Sequence, residues 1–452
     1  MIEKNEILKM AAGLDLNPDT VEKDYVLGWM LFGINQHREI SNWAFKGGTS
    51  LKKCFFETFR FSEDLDFTLS EQSHLAENFL LKTFIEITDF LSEEVGIVFF
   101  NDRFKFKIID KGNGKYSAQG KIHYNGPLRR RQGVATIKLD LTTDEILVLK
   151  TVKKKVHHPY TDEPSQGIYA NCYAFEEIVA EKIRALAQRA RPRDLYDVVH
   201  FFRNRQMIDN PTLVYNVLQK KCSYKKIEIP TFQHIEEHEK LDELEPQWKF
   251  MLAHQLSHLP IFASFWNDLS PFFDWLIGQL SEKKLVSVSA KDEQIFHPGR
   301  VLYAHSTNFL LQRIQFAAAN RVCIKLKYKS KTRTVEPISF RTSSIGNRLF
   351  YGFEREANHA KAYSISKIQS IEITNMAYTE KYPVEISSSG YISMPPIRRT
   401  SNVSMAKNDS RYVYECPICE RKFYRKKRNS KLNPHKDKNG WPCSGRRGIL
   451  IY

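Results

Sequence analysis

Two aspartates two positions apart, Asp64 and Asp66 in RFSEDLDFTLS, carry the first chemical signal in this 452-residue chain. The segment alternates as a strand does. Residues two apart in a strand point to the same side, so both carboxylates face one spot. Like charges that close resist joint ionisation unless a cation lies between them, and Mg²⁺ takes one or two carboxylates together with phosphate oxygens. Some fifteen residues upstream, WAFKGG reads as a short strand closed by Gly47 and Gly48, with a helix over TSLKKCFFETF after it. Glycines at such a junction let backbone N–H groups approach an anion, and Thr49 or Ser50 can add a hydroxyl. A lone acidic pair also occurs on ordinary solvated strand edges. The order strand, glycine pair, helix, acidic strand is what places a phosphate cradle beside metal-binding acids.

A second constellation lies near the C-terminus, in ECPICERKFYRKKRNSKLNPHKDKNGWPCSG. Cys416 and Cys419 form a CxxC, His435 follows after fifteen residues and Cys443 after seven more. Three thiolates and one imidazole match a closed tetrahedral Zn²⁺ site, without which so short a segment lacks a core. A redox CxxC would leave His435 and Cys443 unexplained. Residues 411–452 hold 12 Lys+Arg against 3 Asp+Glu, so +9 of the total +16 sits there. Arg425, Lys426, Lys427 and Arg428, near Phe423, Tyr424 and Trp441, suit a module that tracks phosphates and stacks bases; a protein-docking knob is the alternative.

Around these sites the composition is that of a multi-domain globular chain, with 42% hydrophobic and 27% charged residues. The net charge of +16 suggests a polyanionic partner such as nucleic acid, although simple solubility would also explain it. No run of 18 apolar residues exists, so no membrane segment is expected, and MIEKNEILKMAAGL lacks a signal-peptide core. A cytoplasmic protein is the expectation. Cys54, Cys172, Cys222 and Cys323 are scattered singly and read as core residues.

The spacing predicts helices over IEKNEILKMA, VEKDYVLGWMLFGI and FEEIVAEKIRALAQRA, the last with Ile178, Val179, Ile183, Leu186 and Ala190 along one face. VATIKLDLTT reads as a buried strand. Residues 1–204 then form an α/β (α+β) catalytic layout, and 205–295 a helical domain. Residues 296–385 form a β-domain with one helix before five strands, 386–410 a linker, and 411–452 the basic zinc finger.

FKGGTSLKK followed by RFSEDLDFT resembles the AbiEii/AbiGii toxin group of the nucleotidyltransferase superfamily, found in type IV toxin–antitoxin and abortive-infection systems. The resemblance extends to VEKDYVL, IKLDL and FEEIVAEKIRAL…RPRDLYDVVHF, and covers about residues 1–290. It implies Mg²⁺- or Mn²⁺-dependent transfer of a nucleoside monophosphate from an NTP. Gly47, Gly48, Thr49 and Ser50 match the phosphate motif, Asp64 and Asp66 the metal carboxylates, and Lys182 and Asp194 the later lysine and aspartate motifs. Asp140 stands where the wider superfamily often has a third acid. The implied acceptor is RNA, above all the tRNA 3′ end, with a cognate antitoxin as partner and phage defence as the setting. Read from the residues, Lys182 sits at the edge of an apolar helix face, where it either snorkels to solvent or neutralises a leaving phosphate. Asp194 either orients Lys182, accepts a proton, or merely pairs with a neighbouring arginine. Asp140 is a general base or a capped strand end, and Glu22, Lys23 and Asp24 have no assigned chemistry. An NTP-binding regulator without turnover is the alternative function.

Residues 311–376 resemble a WYL-type domain, a small barrel-like β-fold of bacterial regulators, through AAANRVCIKLKYKSKTRTVEPISF, LFYGF and KAYSISKIQSIEIT. Leu349, Phe350 and Tyr351 replace its naming triplet. The resemblance implies sensing of nucleotides or nucleic acid. Arg333 and Arg341 are the candidate contacts, and Tyr328 and Tyr351 either stack on bases or fill the core.

Overall fold

The computed structural model describes residues 1–57, 59–112, 114–129, 133–280, 285–288, 293–298, 306–386, 412–425, 428–436 and 442–451. They fall into two units, Met1–Pro395 and Pro396–Tyr452. Among them no helix is long and apolar enough to cross a membrane.

The first unit is built on a mixed sheet. Its strands are β1 (Ala44–Lys46), β2 (Asp64–Thr68), β3 (Val98–Phe99), β4 (Lys105–Gly112), β5 (Lys115–Asn125), β6 (Ala135–Thr142), β7 (Val152–Lys155) and β8 (Tyr169–Cys172). The order is β3-β5-β6-β2-β1-β8-β7, with β4 added on β5. The acidic strand β2 is therefore central, antiparallel to β1 and parallel to β6. Along β6 burial alternates strictly, so this strand is buried on one face and open on the other, where Lys138 and Asp140 stand. Two helices precede the sheet, α1 (Lys4–Leu14) and α2 (Pro18–Gln36). Helix α2 starts with Asn17 accepting from the Asp19 N–H and Pro18 in the first turn, and it is buried almost all round.

The helix expected over TSLKKCFFETF is shorter, and wider in its second half, than its pattern suggests. Four residues form α3 (Gly47–Ser50), and Leu51–Phe55 continue as a π-type turn closed by Phe56 N–H donating to the Leu51 carbonyl at 2.8 Å. The widened turn carries Lys52 and Lys53 inward, and Lys53 Nζ lies 2.6 Å from Asp24 Oδ2. This gives the VEKD segment its role. Glu22 accepts from the Leu128 N–H at 2.6 Å, Lys23 pairs with Glu63 at 2.7 Å, and Asp24 holds Lys53. Three consecutive residues of α2 thus tie down the loop before β6, the entry to β2 and the turn after the glycines.

Helix α4 (Glu77–Val95) covers the closed face of the sheet, with Phe84 5.4 Å from Phe106 on β4. Helices α5 (Phe175–Arg189) and α6 (Pro192–Arg203) follow β8. Ile178, Val179, Ile183, Leu186 and Ala190 are buried as their spacing predicts, and Ala190 closes α5 in the left-handed conformation at φ +42°. Next come α7 (Pro211–Lys225), α8 (Phe232–Glu236), α9 (Leu241–Leu252), α10 (Phe262–Trp266) and α11 (Leu269–Leu276). One apolar core runs from Ile2 to Leu276 and Phe316, so position 204 marks a change of architecture and not the edge of a separate core.

The β-domain has its own core. It consists of β9 (Gln294–Ile295), α12 (Ser306–Ala319), β10 (Val322–Tyr328), β11 (Lys331–Thr342), β12 (Arg348–Glu354), β13 (His359–Ser364) and β14 (Ile368–Ala377). The strand order is β13-β12-β11-β10-β14, an antiparallel sheet whose two ends do not pair among the described residues. Its limits differ from 296–385: Ile295 pairs with Arg341, and Ile386 is buried in the core. The rest of the expected linker lies outside the described residues.

Asp24 and Lys53 are both buried, and removing one leaves the other as an uncompensated charge. Asp24→Ala should cost about 3–5 kcal/mol, and the pair Asp24→Leu, Lys53→Met should recover much of it. Urea midpoints of the four members of this cycle test the expectation; a double variant no more stable than Asp24→Ala would refute it.

Candidate active site and metal centre

The glycine turn and the acids meet because the strand register forces them to. Lys46 is opposite Asp66 across β1–β2, and Asp66 is opposite Asp140 across β2–β6. Gly47 has φ +77°, and a Cβ there would lie 2.0 Å from Asp66 Oδ2. Only glycine allows the turn to close on the carboxylate. A Cβ on Gly48 would meet Arg60 Nη2 and Ser62 Oγ, each at 2.9 Å, so the second glycine is a seat for a guanidinium.

The two hydroxyls expected at the phosphate motif do not face the cavity. Thr49 donates to the Asp64 carbonyl at 2.5 Å, fastening the turn to β2, and Ser50 is fully buried. What the motif presents to the cavity is therefore backbone together with the cations around it. Beside the turn lies a cavity of about 280 Å³ lined by Lys46, Gly47, Gly48, Asp66, Lys182 and Arg189, among others.

Lys182 does not snorkel. Its Nζ lies 2.8 Å from Asp197 Oδ2 and 3.5 Å from Asp194 Oδ1. Asp194 also takes both arms of Arg189, at 2.6 and 2.8 Å, and Asp197 both arms of Arg60, at 2.7 Å each. The result is a continuous chain, Arg189–Asp194–Lys182–Asp197–Arg60, ending against Gly48. Burial works against the charge on both acids, but Lys182 and Arg189 at Asp194, and Arg60 and Lys182 at Asp197, hold them below the usual carboxylate range. Asp194 thus stays ionised and positions cations, which argues against proton acceptance. Asp197, Arg60 and Lys46 were not singled out in the sequence. Asp197 lies three residues after Asp194 on α6, a spacing that puts the two on one face; Arg60 and Lys46 left no such signal.

Asp64, Asp66 and Asp140 form the opposite electrostatic case. Burial, with Asp140 and Asp64 close by, pushes the Asp66 carboxyl up to about 7 despite the nearby Lys46. Burial also raises Asp64, Lys138 opposing. Asp64 and Asp66, two carboxyls raised by burial, with accessible Asp140 in register with Asp66, are oxygen donors of the kind a hard divalent ion takes. Lys46 is held by Glu181 at 2.8 Å, and Glu181 and Glu145 keep it charged against the effect of burial.

In the second unit, Cys416, Cys419, His435 and Cys443 bring their ligand atoms within 4.8 Å of one another. Strands β15 (Tyr412–Glu415) and β16 (Lys422–Arg425) flank the CxxC turn, and β17 (His435–Lys436) pairs with β18 (Pro442–Cys443), setting His435 opposite Cys443; β19 (Ile449–Leu450) joins β15. Cys416 Sγ and Cys443 Sγ are 3.7 Å apart, and two thiolates bound at ~2.3 Å in a tetrahedron lie about 3.8 Å apart. His435 Nδ1 is 2.9 Å from the Asn433 carbonyl, which leaves Nε2 as the ligand atom. Burial tends to raise the Cys416 thiol, but N–H groups of Cys419 and Ile418 outweigh it and bring it down to about 6. The residues fit zinc. Phe423 packs on the His435 ring at 4.8 Å, so it fills this small core and does not stand free to stack. Arg425 ends β16 and Arg428 is exposed, while Lys426, Lys427 and Trp441 lie outside the described residues.

In the β-domain Arg341 is buried, with Nη2 2.5 Å from Glu385, and is no surface contact. Arg333 pairs with Glu354 at 3.3 Å and donates to the Tyr328 carbonyl. Tyr351 donates to Glu293 at 3.0 Å, Tyr328 packs edge-on against Tyr363, and Phe350 is core.

Two expectations follow. A carboxyl raised on folding contributes stability below about 4 that is lost as pH rises through about 7. In metal-free protein Asp66→Asn should therefore raise the melting temperature at pH 8, with a smaller gain at pH 5; equal gains at both would refute this. A Cβ on Gly445 would lie 2.3 Å from Cys416 Sγ, so Gly445→Ala should lower zinc retention against a chelator at least tenfold. One zinc per chain retained by that variant as by the parent would count against the site.

Residues 29–278 match the family described as nucleotidyl transferase AbiEii toxin, type IV TA system. No curated protein matches the chain. Among solved structures it is similar to MenT4, a nucleotidyltransferase toxin of Mycobacterium tuberculosis H37Rv, at 19% identity over 62% of this chain and 91% of that one, TM-score 0.43. It is also similar to JHP933 of Helicobacter pylori, at 15% identity over 59% and 94%, TM-score 0.38. The match spans more than half of the chain, and the chain belongs to the AbiEii nucleotidyl transferase toxin family of type IV toxin–antitoxin systems.

Proposed function

We propose that the chain transfers a nucleoside monophosphate from an NTP to RNA, with the tRNA 3′ end as acceptor, under control of the cognate antitoxin that its family implies. Phage defence is the setting that best suits such a toxin. The observation that carries this reading is Asp66, in register with Asp140 and on one strand face with Asp64, set beside a glycine turn on a cavity walled by cations.

In this reading the backbone at Gly47 and Gly48 approaches the triphosphate, in a turn that the two glycines let close on Asp66 and Arg60. Lys46, Lys182 and Arg189 neutralise charge on the departing pyrophosphate, and Asp194 and Asp197 hold Lys182 in place. Asp64 and Asp66, with Asp140 beside them, would hold Mg²⁺ or Mn²⁺, which when bound supplies charge neutralisation and orientation of the phosphates. Asp140, the accessible member, also accepts the proton of the attacking hydroxyl. The zinc module, carrying Arg425, Lys426, Lys427 and Arg428, adds affinity for the RNA backbone, and Arg333 contributes a weaker contact from the β-domain.

Incubation with each α-labelled NTP, Mg²⁺ and total bacterial RNA tests this. Label should enter tRNA-sized RNA, vanish with Asp64→Ala plus Asp66→Ala, and fall about 10²–10³-fold with Lys182→Ala. Tight NTP binding without transfer to RNA or protein would make the chain an NTP-binding regulator instead.

A further inference from the structure

The open face of the sheet carries an unassigned feature on the far side of the acids from the cavity. Strand register aligns Lys105 with Lys121, Lys121 with Lys138, and Lys138 with Asp64. In-register positions share a face, and all three lysines are exposed. One row along, Lys107 is opposite Gln119, Gln119 opposite Asp140, and Asp140 opposite Asp66. The acids in these two rows are thus the three candidate metal ligands, and the remaining charges are lysines. Lys115 and Lys155 of this sheet are paired, with Asp144 at 2.8 Å and Glu163 at 3.5 Å. Lys105, Lys107, Lys121 and Lys138 have no ion-pair partner among the described residues.

Like charges directly opposite one another on neighbouring strands destabilise a sheet, so Lys105 against Lys121 and Lys121 against Lys138 are a cost to folding, offset only where Lys138 meets Asp64. The row covers three strand spacings, about 14 Å, and ends at the acid. Direction decides the partner. The cavity with its glycine turn lies on the β1 side of β2, and the lysine row leaves β2 on the β6 side. In-line displacement at phosphorus needs the attacking oxygen and the leaving pyrophosphate on opposite sides. A triphosphate seated at Gly47–Gly48 would leave the lysine side to the acceptor, and a polyanion with one charge per residue is what a lysine row fits.

We propose that Lys105, Lys121 and Lys138, flanked by Lys107, form the track along which an RNA acceptor strand is led to Asp64. This rests on the transferase reading and names the surface that delivers its second substrate. The track is made of phosphate contacts, so it positions the acceptor without reading its sequence.

The test uses the full chain and a labelled tRNA. Equilibrium affinity is measured between 50 and 200 mM salt for the parent, for the triple Lys105→Gln, Lys121→Gln, Lys138→Gln, and for a control triple at exposed helix lysines, Lys9→Gln, Lys220→Gln, Lys249→Gln. Losing three phosphate contacts should shallow the slope of log affinity against log salt by about 2 and weaken binding at least tenfold at the lowest salt. The control should match the parent, and NTP binding should be unchanged in both triples. Equal slopes for parent and sheet triple would overturn the track while leaving transfer to RNA intact if the parent still labels it. A parent that binds no RNA and labels protein would overturn both. An equal loss in the control triple would mean diffuse charge and would likewise refute the track.

Discussion

Asp64, Asp66 and Asp140 face one another across two parallel strands, and their mutual repulsion is the constraint around which the first unit is arranged. The lysines of the sheet, Lys138 at Asp64 and Lys46 at Asp66, relieve it only in part. Lys46 lies opposite Asp66 but is already engaged by Glu181, and the Asp66 carboxyl still sits near 7. A sheet with such a site at its centre needs rigid walls, because small shifts would let the carboxylates turn apart or draw water between them. The walls are supplied from both directions. Gly47 is closed against the Asp66 carboxylate, and Thr49 fastens the same turn to the Asp64 carbonyl. Lys23 of α2 holds Glu63 immediately before Asp64.

The cations follow the opposite logic. Lys182, Arg60 and Arg189 are held by two fully buried aspartates that cannot turn away, since each carboxylate accepts from two cations. Such an array has little orientational freedom to lose when an anion arrives, which is what preorganised stabilisation of a leaving group requires. Positive charge beside the glycines and negative charge on β2 are then neighbours at one cavity, which Lys46, Asp66, Lys182 and Arg189 line together.

How far this was legible in the sequence depends on how local each interaction is. Asp64 and Asp66 share a face by the period of a strand, and IKLDL showed a second acidic strand; both are short-range signals. The zinc ligands are legible from spacing because the metal dictates it. The five strands of the β-domain follow from alternation between turns. By contrast Arg60 meets Asp197 across 137 positions and Lys46 meets Glu181 across 135, so no window of sequence joins them. The hydroxyls of Thr49 and Ser50 turn from the cavity for the same reason: Thr49 donates to the Asp64 carbonyl fifteen positions on, and Ser50 is buried. Arg341 looked like a surface contact for a related reason: its partner Glu385 lies 44 residues on, beyond the sheet.

The β-domain has a separate core, yet it is not simply tethered. Arg203, the last residue of α6, donates to the Asn320 carbonyl at 2.7 Å, and Arg321 donates back to the Arg203 carbonyl at 2.6 Å. Each guanidinium caps the carbonyl end of the other's segment, where the helix field favours a cation. Both are charge-balanced, Arg203 by Asp268 at 2.7 Å and Arg321 by Glu380 at 2.6 Å. Helix α6 also carries Asp194 and Asp197, so one rigid rod runs from the residues that orient Lys182 to the junction with the β-domain. A displacement of that domain relative to α6 would have to break two buried, charge-assisted caps before it could leave the helix unmoved. The cheaper response is for α6 to move with it, taking with it the two carboxylates on which the cation array depends.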